Sequence, residues 1–384
     1  MQSHRKWAAG ARGGVQADLS FHDLSGLPLA GVCLRNAKLV GANLARTGLR
    51  DADLAASVLL MADLEGADLR RANLLGADLR GASFNGAALA EANLAGADLR
   101  VGELGAVATK HRPRNGAAPL SRRTGLVDAN LTRAILVGSN LGDCDLTGAE
   151  LVDADLSGAD LSGAILVSTD LSGVSLRGAR LQGALLSGAS MDERVVAQIL
   201  QMGGDPDQRL QPVGERLFEL VAAHQEWLAS SGSRGARLEL DMVDLSGAPL
   251  AETDLSGARI QRCDLRGATL EGANLVFSDL SYCNLASARL AGADLSGCTL
   301  RRANLAGADL RDAVLDSVPV AGGQARDWPA NLQYARLTDA DLRVRGARGA
   351  ILRQADLTGA RVNMALLRGA DLSGAKLPSA QAPA

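Results

Sequence analysis

"ADLSGADLSG" occupies residues Ala154 to Gly163, two identical five-residue words in a row. Each word carries one leucine, Leu156 and Leu161, so the apolar period is five. That period suits neither regular element. Five residues turn an α-helix by about 500°, so successive leucines would spiral round every face. In a strand, an odd spacing sends each leucine to the opposite face. The conflict vanishes when the chain turns a corner once in every word. All the leucines can then point to one axis.

The word runs through most of the 384-residue chain. A central apolar residue recurs every five positions from Leu19 to Leu104, eighteen in all, with Phe84 as the one substitute. Further runs go from Leu126 to Met191 (fourteen), from Leu240 to Leu315 (sixteen, including Ile260) and from Leu332 to Leu377 (ten, with Ala347 irregular). With the central position called i, residue i−2 is mostly alanine, as at Ala62, Ala67, Ala72 and Ala77. Alternation puts i and i−2 on the same, inward side, a set that includes His22. Asp, Asn, Ser and Arg fill the outward positions i−1, i+1 and i+2. The glycine frequent at i+2, such as Gly158 or Gly163, tolerates the positive φ of a tight corner. Aromatics make up 2% of the residues, so the core is narrow and built from Leu and Ala. Such coils are predicted to stack like parallel strands, giving an all-β solenoid.

A-[DN]-L-x-x in tandem resembles the pentapeptide-repeat family. The resemblance implies a right-handed quadrilateral β-helix with four words per coil.

The period slips between Leu104 and Leu126, between Met191 and Leu240, and between Leu315 and Leu332. These slips divide the chain. Residues 1–14 read as a flexible basic tail, and residues 15–191 as a first solenoid with an inserted basic loop, 105–125. Residues 192–236 read as a helical linker or cap, and residues 237–384 as a second solenoid with an insertion, 316–331. Ser190 and Glu193 stand at capping-box spacing. Leu217, Leu220, Val221, His224, Trp227 and Leu228 share one helical face. Two short helices therefore join two solenoid halves. "DLSGLPLA" (Asp23–Ala30) and "DLSGAPLA" (Asp244–Ala251) each place a proline before the third central leucine of their half. Proline cannot donate to a ladder and suits a sheet edge, so each half is read as beginning afresh.

Catalytic patterns are missing from the sequence. The four histidines, His4, His22, His111 and His224, have no ligand or base partner at a telling spacing. No nucleophile with an orienting base is visible, and no cofactor, metal or enzymatic activity is expected. Cys144, Cys263, Cys283 and Cys298 fall at i−2, where cysteine serves as a small apolar residue. The glycines recur with the word and never lead into Gly-Lys-Ser/Thr, so they turn corners and do not cradle phosphate. No apolar run approaches the ~20 residues of a membrane span. The basic start lacks the apolar stretch of a secretory signal. A cytoplasmic protein without membrane contact is expected.

Charge is uneven along a chain of net charge −3. Residues 105–125 hold Lys110, Arg112, Arg114, Arg122 and Arg123 and no acid, whereas residues 126–191 hold eight acids and three bases. The family resemblance implies a use for such a pattern. Some relatives match B-form DNA in size and negative surface, and bind type II DNA topoisomerases such as gyrase, protecting them from poisons. Loops thrown out from their coils help to engage the enzyme. On that reading Glu150, Asp153, Asp155, Asp160 and Asp170 form an acidic face. Lys110, Arg112, Arg114, Arg122 and Arg123 then belong to a projecting element. Other readings stay open. The acids could be only a solvated face, with Asp78, Arg80, Asp98 and Arg100 as an ion ladder. The basic loop could bind nucleic acid or an acidic surface, although it lacks interleaved aromatics for base stacking. The chain could also be a scaffold or a secretion-associated binding module, and a homodimer through one end is a further reading. The expectation is a non-catalytic protein-binding rod.

Overall fold

The computed structural model describes residues 2–104, 120–206, 210–319 and 327–378. The chain forms two compact units, Met1–Gln208 and Arg209–Ala384. Each unit is a solenoid in which parallel bridges join residues 20 apart, as in Asp18↔Lys38, Asp23↔Asn43, Pro28↔Gly48 and Cys33↔Asp53. A coil therefore takes four words, and each unit is a four-sided β-helix.

The quoted stretch shows how one word satisfies its backbone. Ala154 N–H closes the corner by donating to Leu151 O (2.9 Å). Asp155 N–H donates back to Ala134 O (3.0 Å) in the preceding coil. Leu156 and Gly158 donate forward, to Ser175 O and Arg177 O, both at 2.9 Å. Ser157 N–H has no backbone acceptor, and the Asp155 carboxylate takes it (Oδ1, 3.0 Å). All five amides are thus paired, by four different routes, as a buried backbone demands. The residue at i+2 has positive φ, +69° at Gly158 and +68° at Gly163, as the third residue of a type II turn requires. Non-glycine residues also take this corner, including Asp153 (+57°) and Arg133 (+56°). Asn and Asp tolerate the left-handed region best, and Arg133 is held there by the ladder.

Leu and Ala at i and i−2 fill each axis. Leu156, Leu161, Ala154 and Ala159 are all buried, and Phe84 takes a central position in the first unit. The cysteines at i−2, Cys144, Cys263, Cys283 and Cys298, are buried with them. Polar residues at i−2 find backbone carbonyls, Ser139 Oγ that of the preceding central leucine, Leu136 (2.7 Å), and Thr47 Oγ1 that of Leu24 in the coil before (2.9 Å). His22 does not follow the inward pattern. It is exposed, because the first coil has no coil beneath it to close over i−2.

The ends of the units depart most from the sequence reading. The segment read as a flexible tail contains helix α1 (Gln2–Ala8), with His4 buried. Helix α2 (Glu193–Gln201) is capped by Asp192, which accepts from Val195 N–H, and not by Ser190. Ser190 is unavailable because its backbone still serves the ladder, donating to Thr169 O and accepting from Leu171 N–H. Val195 and Ile199 of α2 enter the first core. Asp192 and Gln198 take the amides of Gly173 (2.7 Å) and Leu176 (2.8 Å), donors that no further coil would meet. Helix α3 (Arg216–Ala229) belongs to the second unit, where Leu217, Leu220 and Val221 pack on its core. The 192–236 segment is therefore two caps, one for each unit.

Pro28 and Pro249 both lie in the first coil of their unit, where the missing N–H has no preceding coil to serve. The first insertion begins earlier than its sequence boundary. Leu104 is not the eighteenth axial residue. It leaves the axis in strand β1 (Gly102–Leu104), antiparallel to β2 (Leu120–Arg122). Bridges then span the insertion directly, Ser83↔Gly125 and Asp98↔Asn140. In the second unit, Val318–Pro319 and Asp327–Trp328 form the base of a matching hairpin, and Thr299 bridges Asn331 across it. Ala347 sits buried on the axis despite its size.

Replacing Leu156 with Ala should cost about 2–5 kcal/mol through the cavity left on the axis. The urea midpoint measures this, and an unchanged midpoint contradicts the axial assignment.

Candidate interaction surface

The first unit has four faces, named here by one bridging column each. The columns run through Asp145, Glu150, Asp155 and Asp160 respectively, and follow one another along the chain. The predicted acidic residues are dispersed over them. Glu150 and Asp170 are bridge partners on the second face, with Asp153 exposed at the corner that follows. Asp155 lies on the third face and Asp160 on the fourth. The structure brings together Glu150, Asp153 and Asp170 but not the other two.

Most of these acids already have a structural task. Asp155, Asp160 and Asp170 each accept the amide and the hydroxyl of the serine two residues on. The hydroxyl contacts are 2.5 Å to Ser157, 2.6 Å to Ser162 and 2.6 Å to Ser172. Asp160 also accepts from Arg180 Nη2 (2.6 Å) in the next coil. Burial pushes the Asp160 carboxyl up, but the Ser162 contacts and Arg180 outweigh it and hold the group below the ordinary carboxylate value. Glu150 accepts from Asn130 Nδ2 (2.9 Å).

Where arginine replaces the serine, the aspartate forms a two-point ion pair inside its own word. Arg80 binds Asp78 through Nε and Nη2, both at 2.8 Å, and Arg100 binds Asp98 at 3.0 and 2.8 Å. The predicted ladder through Asp78, Arg80, Asp98 and Arg100 exists, but its link between coils, Arg80 to Asp98, is longer at 3.8 Å. Exposed pairs of this kind contribute about 0–1 kcal/mol, so they set local charge neutrality more than stability.

The basic element divides in two. Lys110, Arg112 and Arg114 lie outside the described residues. Arg123 is exposed. Arg122 is turned inward and pins the hairpin to the solenoid, donating to Gly81 O (2.5 Å), Met61 O (2.9 Å) and Ala62 O (3.0 Å). Burial pulls its guanidinium below the ordinary value, with Asp63 opposing. Thr124 completes the base, accepting from Gly81 N–H (2.8 Å) and donating to Arg100 O (2.9 Å).

A feature missed in the sequence lies on the third face. Leu75, Ile135 and Val137 are 46%, 44% and 40% exposed there, with Ala95 in the coil between. Their columns are contiguous, since Asn73, Asn93, Ile135 and Asp155 bridge in turn. The signal was available: in those words a large apolar residue stands at i+1 or i−1, where Asp, Asn, Ser or Arg is usual. Two aromatic pairs also lie on the second unit. Phe277 and Trp328 meet edge to face at 6.3 Å, Arg301 donates to Tyr282 Oη (2.8 Å), and Arg302 lies 4.5 Å over the Tyr334 ring. Among the described residues, no group of three His, Cys, Asp or Glu is placed to hold a metal ion. No helix of the described residues is long and apolar enough to cross a membrane.

Asp155→Asn should leave stability within about 0.5 kcal/mol, because Asn130 accepts the equivalent amide of Thr132 at 3.0 Å. Asp155→Ala, which orphans Ser157 N–H, should cost about 1–2 kcal/mol by the same denaturation measurement. Equal effects of the two changes would contradict the assigned hydrogen bond. Arg122→Met should free the hairpin from its face. Amide hydrogen exchange in β1 and β2 is expected to accelerate about tenfold or more, and an unchanged rate shows that the pin is dispensable.

No curated protein matches the sequence. Solved structures do. HetL, a pentapeptide repeat protein involved in heterocyst differentiation regulation in the cyanobacterium Nostoc sp. strain PCC 7120, is 23% identical, with 97% of this chain and 92% of HetL covered and a TM-score of 0.15. A pentapeptide repeat protein of the Arabidopsis thaliana thylakoid lumen is 27% identical over 36% of this chain and 70% of its own, with a TM-score of 0.18. QnrB1, a plasmid-mediated fluoroquinolone resistance protein, is 16% identical over 50% of this chain and 98% of its own, with a TM-score of 0.20. Superpositions at these scores carry no site from one protein to another. The family model for pentapeptide repeats matches residues 49–86, 126–163, 154–192, 239–276, 278–316 and 347–381. These matches take in more than half of the chain, so the chain belongs to the pentapeptide repeat family.

Proposed function

We propose that this protein is a non-catalytic binding protein that engages a protein partner through the first unit. The observation that carries the reading is the apolar strip of Leu75, Ala95, Ile135 and Val137 on the third face. A run of large apolar side chains standing in water on a polar solenoid is costly to keep unless a partner covers it. Asp155 and Ser157 border the strip in the next coil and supply a polar rim. The hairpin of β1 and β2, pinned by Arg122, offers a second, directed contact from a neighbouring corner.

The partner we put forward is a type II DNA topoisomerase. The family includes QnrB1, described as a fluoroquinolone resistance protein. In the present chain, recognition would rest on the strip and the hairpin more than on DNA mimicry. The acids Glu150, Asp153, Asp155, Asp160 and Asp170 occupy three faces, and three of them hold serine hydroxyls inside their own words. Such a distribution does not build one continuous anionic groove.

Gyrase supercoiling, assayed with rising protein concentration and with or without a fluoroquinolone, tests the proposal. Inhibition or drug protection by the native protein is expected at about micromolar concentration, a Kd range typical of transient contacts. A Val137→Asp variant should weaken the effect about tenfold or more, since it buries a charge in the strip. No effect of the native protein excludes a topoisomerase partner. An effect untouched by Val137→Asp moves the contact off the third face.

A further inference from the structure

Both units open with the same four-residue pattern. Helix α1 carries His4-Arg5-Lys6-Trp7, and helix α3 carries His224-Gln225-Glu226-Trp227. His4 Nδ1 accepts the amide of Ala17 (3.0 Å), and His224 Nδ1 accepts the amide of Leu238 (3.1 Å). Ala17 and Leu238 hold the same place, two residues before the first central leucines Leu19 and Leu240. In later words this amide closes a corner on the preceding leucine carbonyl, as Ala154 does on Leu151. The first word of a unit has no preceding leucine, and the imidazole takes over that role. Each ring is buried and stacks on its own tryptophan, at 5.5 Å for Trp7 and 5.6 Å for Trp227. The arrangement appears twice at equivalent positions, so it is a built cap and not an incidental contact.

An imidazole nitrogen that accepts an amide carries no proton. The docked rings are therefore neutral, with hydrogen on Nε2, which is buried in both without a hydrogen-bond partner. Protonation would place a hydrogen on Nδ1 directly facing the N–H of Ala17 or Leu238. Donor would meet donor, inside a site closed to water.

We propose that the H-x-x-W helices are pH-released caps: protonation of His4 and His224 undocks α1 and α3 and bares the first-coil edge of each unit. The groups facing the rings differ in detail. His4 faces the backbone of Arg35, which favours the charged ring. His224 faces Asp254 and the backbone of Ser256, which favour the charged ring, and Arg237, which disfavours it. Burial is the largest influence on both and holds both below the ordinary imidazole value of 6.5. The sign follows by linkage. The undocked ring binds its proton at higher pH than the docked ring. Cap stability is fully present above the ordinary imidazole value and is lost as pH falls through the docked value.

Amide hydrogen exchange on the full chain tests the proposal, at about pH 7.5 and about pH 5 after correction for the chemical exchange rate. Protection of α1, Ala17, α3 and Leu238 is expected to fall about tenfold or more at the lower pH, while the middle coils keep theirs. A double variant, His4→Asn with His224→Asn, retains an acceptor oxygen near the Nδ1 position and cannot titrate there. Its caps should keep their protection at both pH values. Unchanged protection in the native protein overturns the proposal, as does a loss that persists in a folded double variant. Should the double variant fail to fold, imidazole NMR titration of the native chain decides. Ring titration that coincides with loss of cap protection supports the release, and rings that titrate with both caps still protected overturn it.

Discussion

The amide that follows each central leucine is the constraint on which this fold depends. Four of the five amides in a word find carbonyls, one across the corner, one in the coil before and two in the coil after. The fifth finds none, and an unpaired amide in a packed wall costs about 1–3 kcal/mol. A short side chain with an acceptor oxygen at i−1 removes that cost, which is why Asp or Asn precedes so many of the leucines. Asn93 does this for Ala95 (3.1 Å) and Asn304 for Ala306 (3.1 Å) as Asp155 does for Ser157. The negative charge of the surface is largely a by-product of this requirement. Serine and arginine at i+1 then partner the same carboxylate, one by a hydroxyl and the other by a two-point ion pair.

An aspartate that already holds an amide and a hydroxyl is less available to a partner than an unengaged one. What stands out against such a surface is whatever departs from it: the apolar strip on the third face, the hairpin held by Arg122, and the aromatic pairs on the second unit. The apolar side chains of the strip make no hydrogen bond to the backbone of the coils, and the hairpin is tied to it through Arg122 and Thr124.

Much of the fold was legible in the sequence because its central signal is a period, and a period survives local irregularity. The four-word coil, the inward Leu and Ala, the corner at i+2 and the two starts at Pro28 and Pro249 all follow from it. The period fails where a leucine keeps its spacing after the chain has left the axis, as at Leu104, which pairs in an antiparallel hairpin instead. It also fails at ends. Ser190 has the right spacing for a cap, but its backbone is committed to the ladder, and Asp192 is the first residue past that commitment. The caps of His4 and His224 were readable only by comparing two short motifs across 220 residues and knowing which amide each coil leaves orphaned. The bond of Asp155, Asp160 and Asp170 to the amide two residues on needs the geometry of the corner, which no spacing displays.

The bridges Ser83↔Gly125 and Thr299↔Asn331 carry a broader consequence. Across each insertion the coils resume their usual pairing, as though the extra residues were absent. Register in this fold is therefore set by contacts between neighbouring coils and not by the length of chain between them. Closing a longer excursion costs only about 0.6 kcal/mol for each doubling of its length. Any corner is thus a permissive port, where a segment can be spliced in, lengthened or exchanged while the wall around it stays intact. The two units have used ports at different corners, and a solenoid of this kind can acquire new contact elements without redesigning its core.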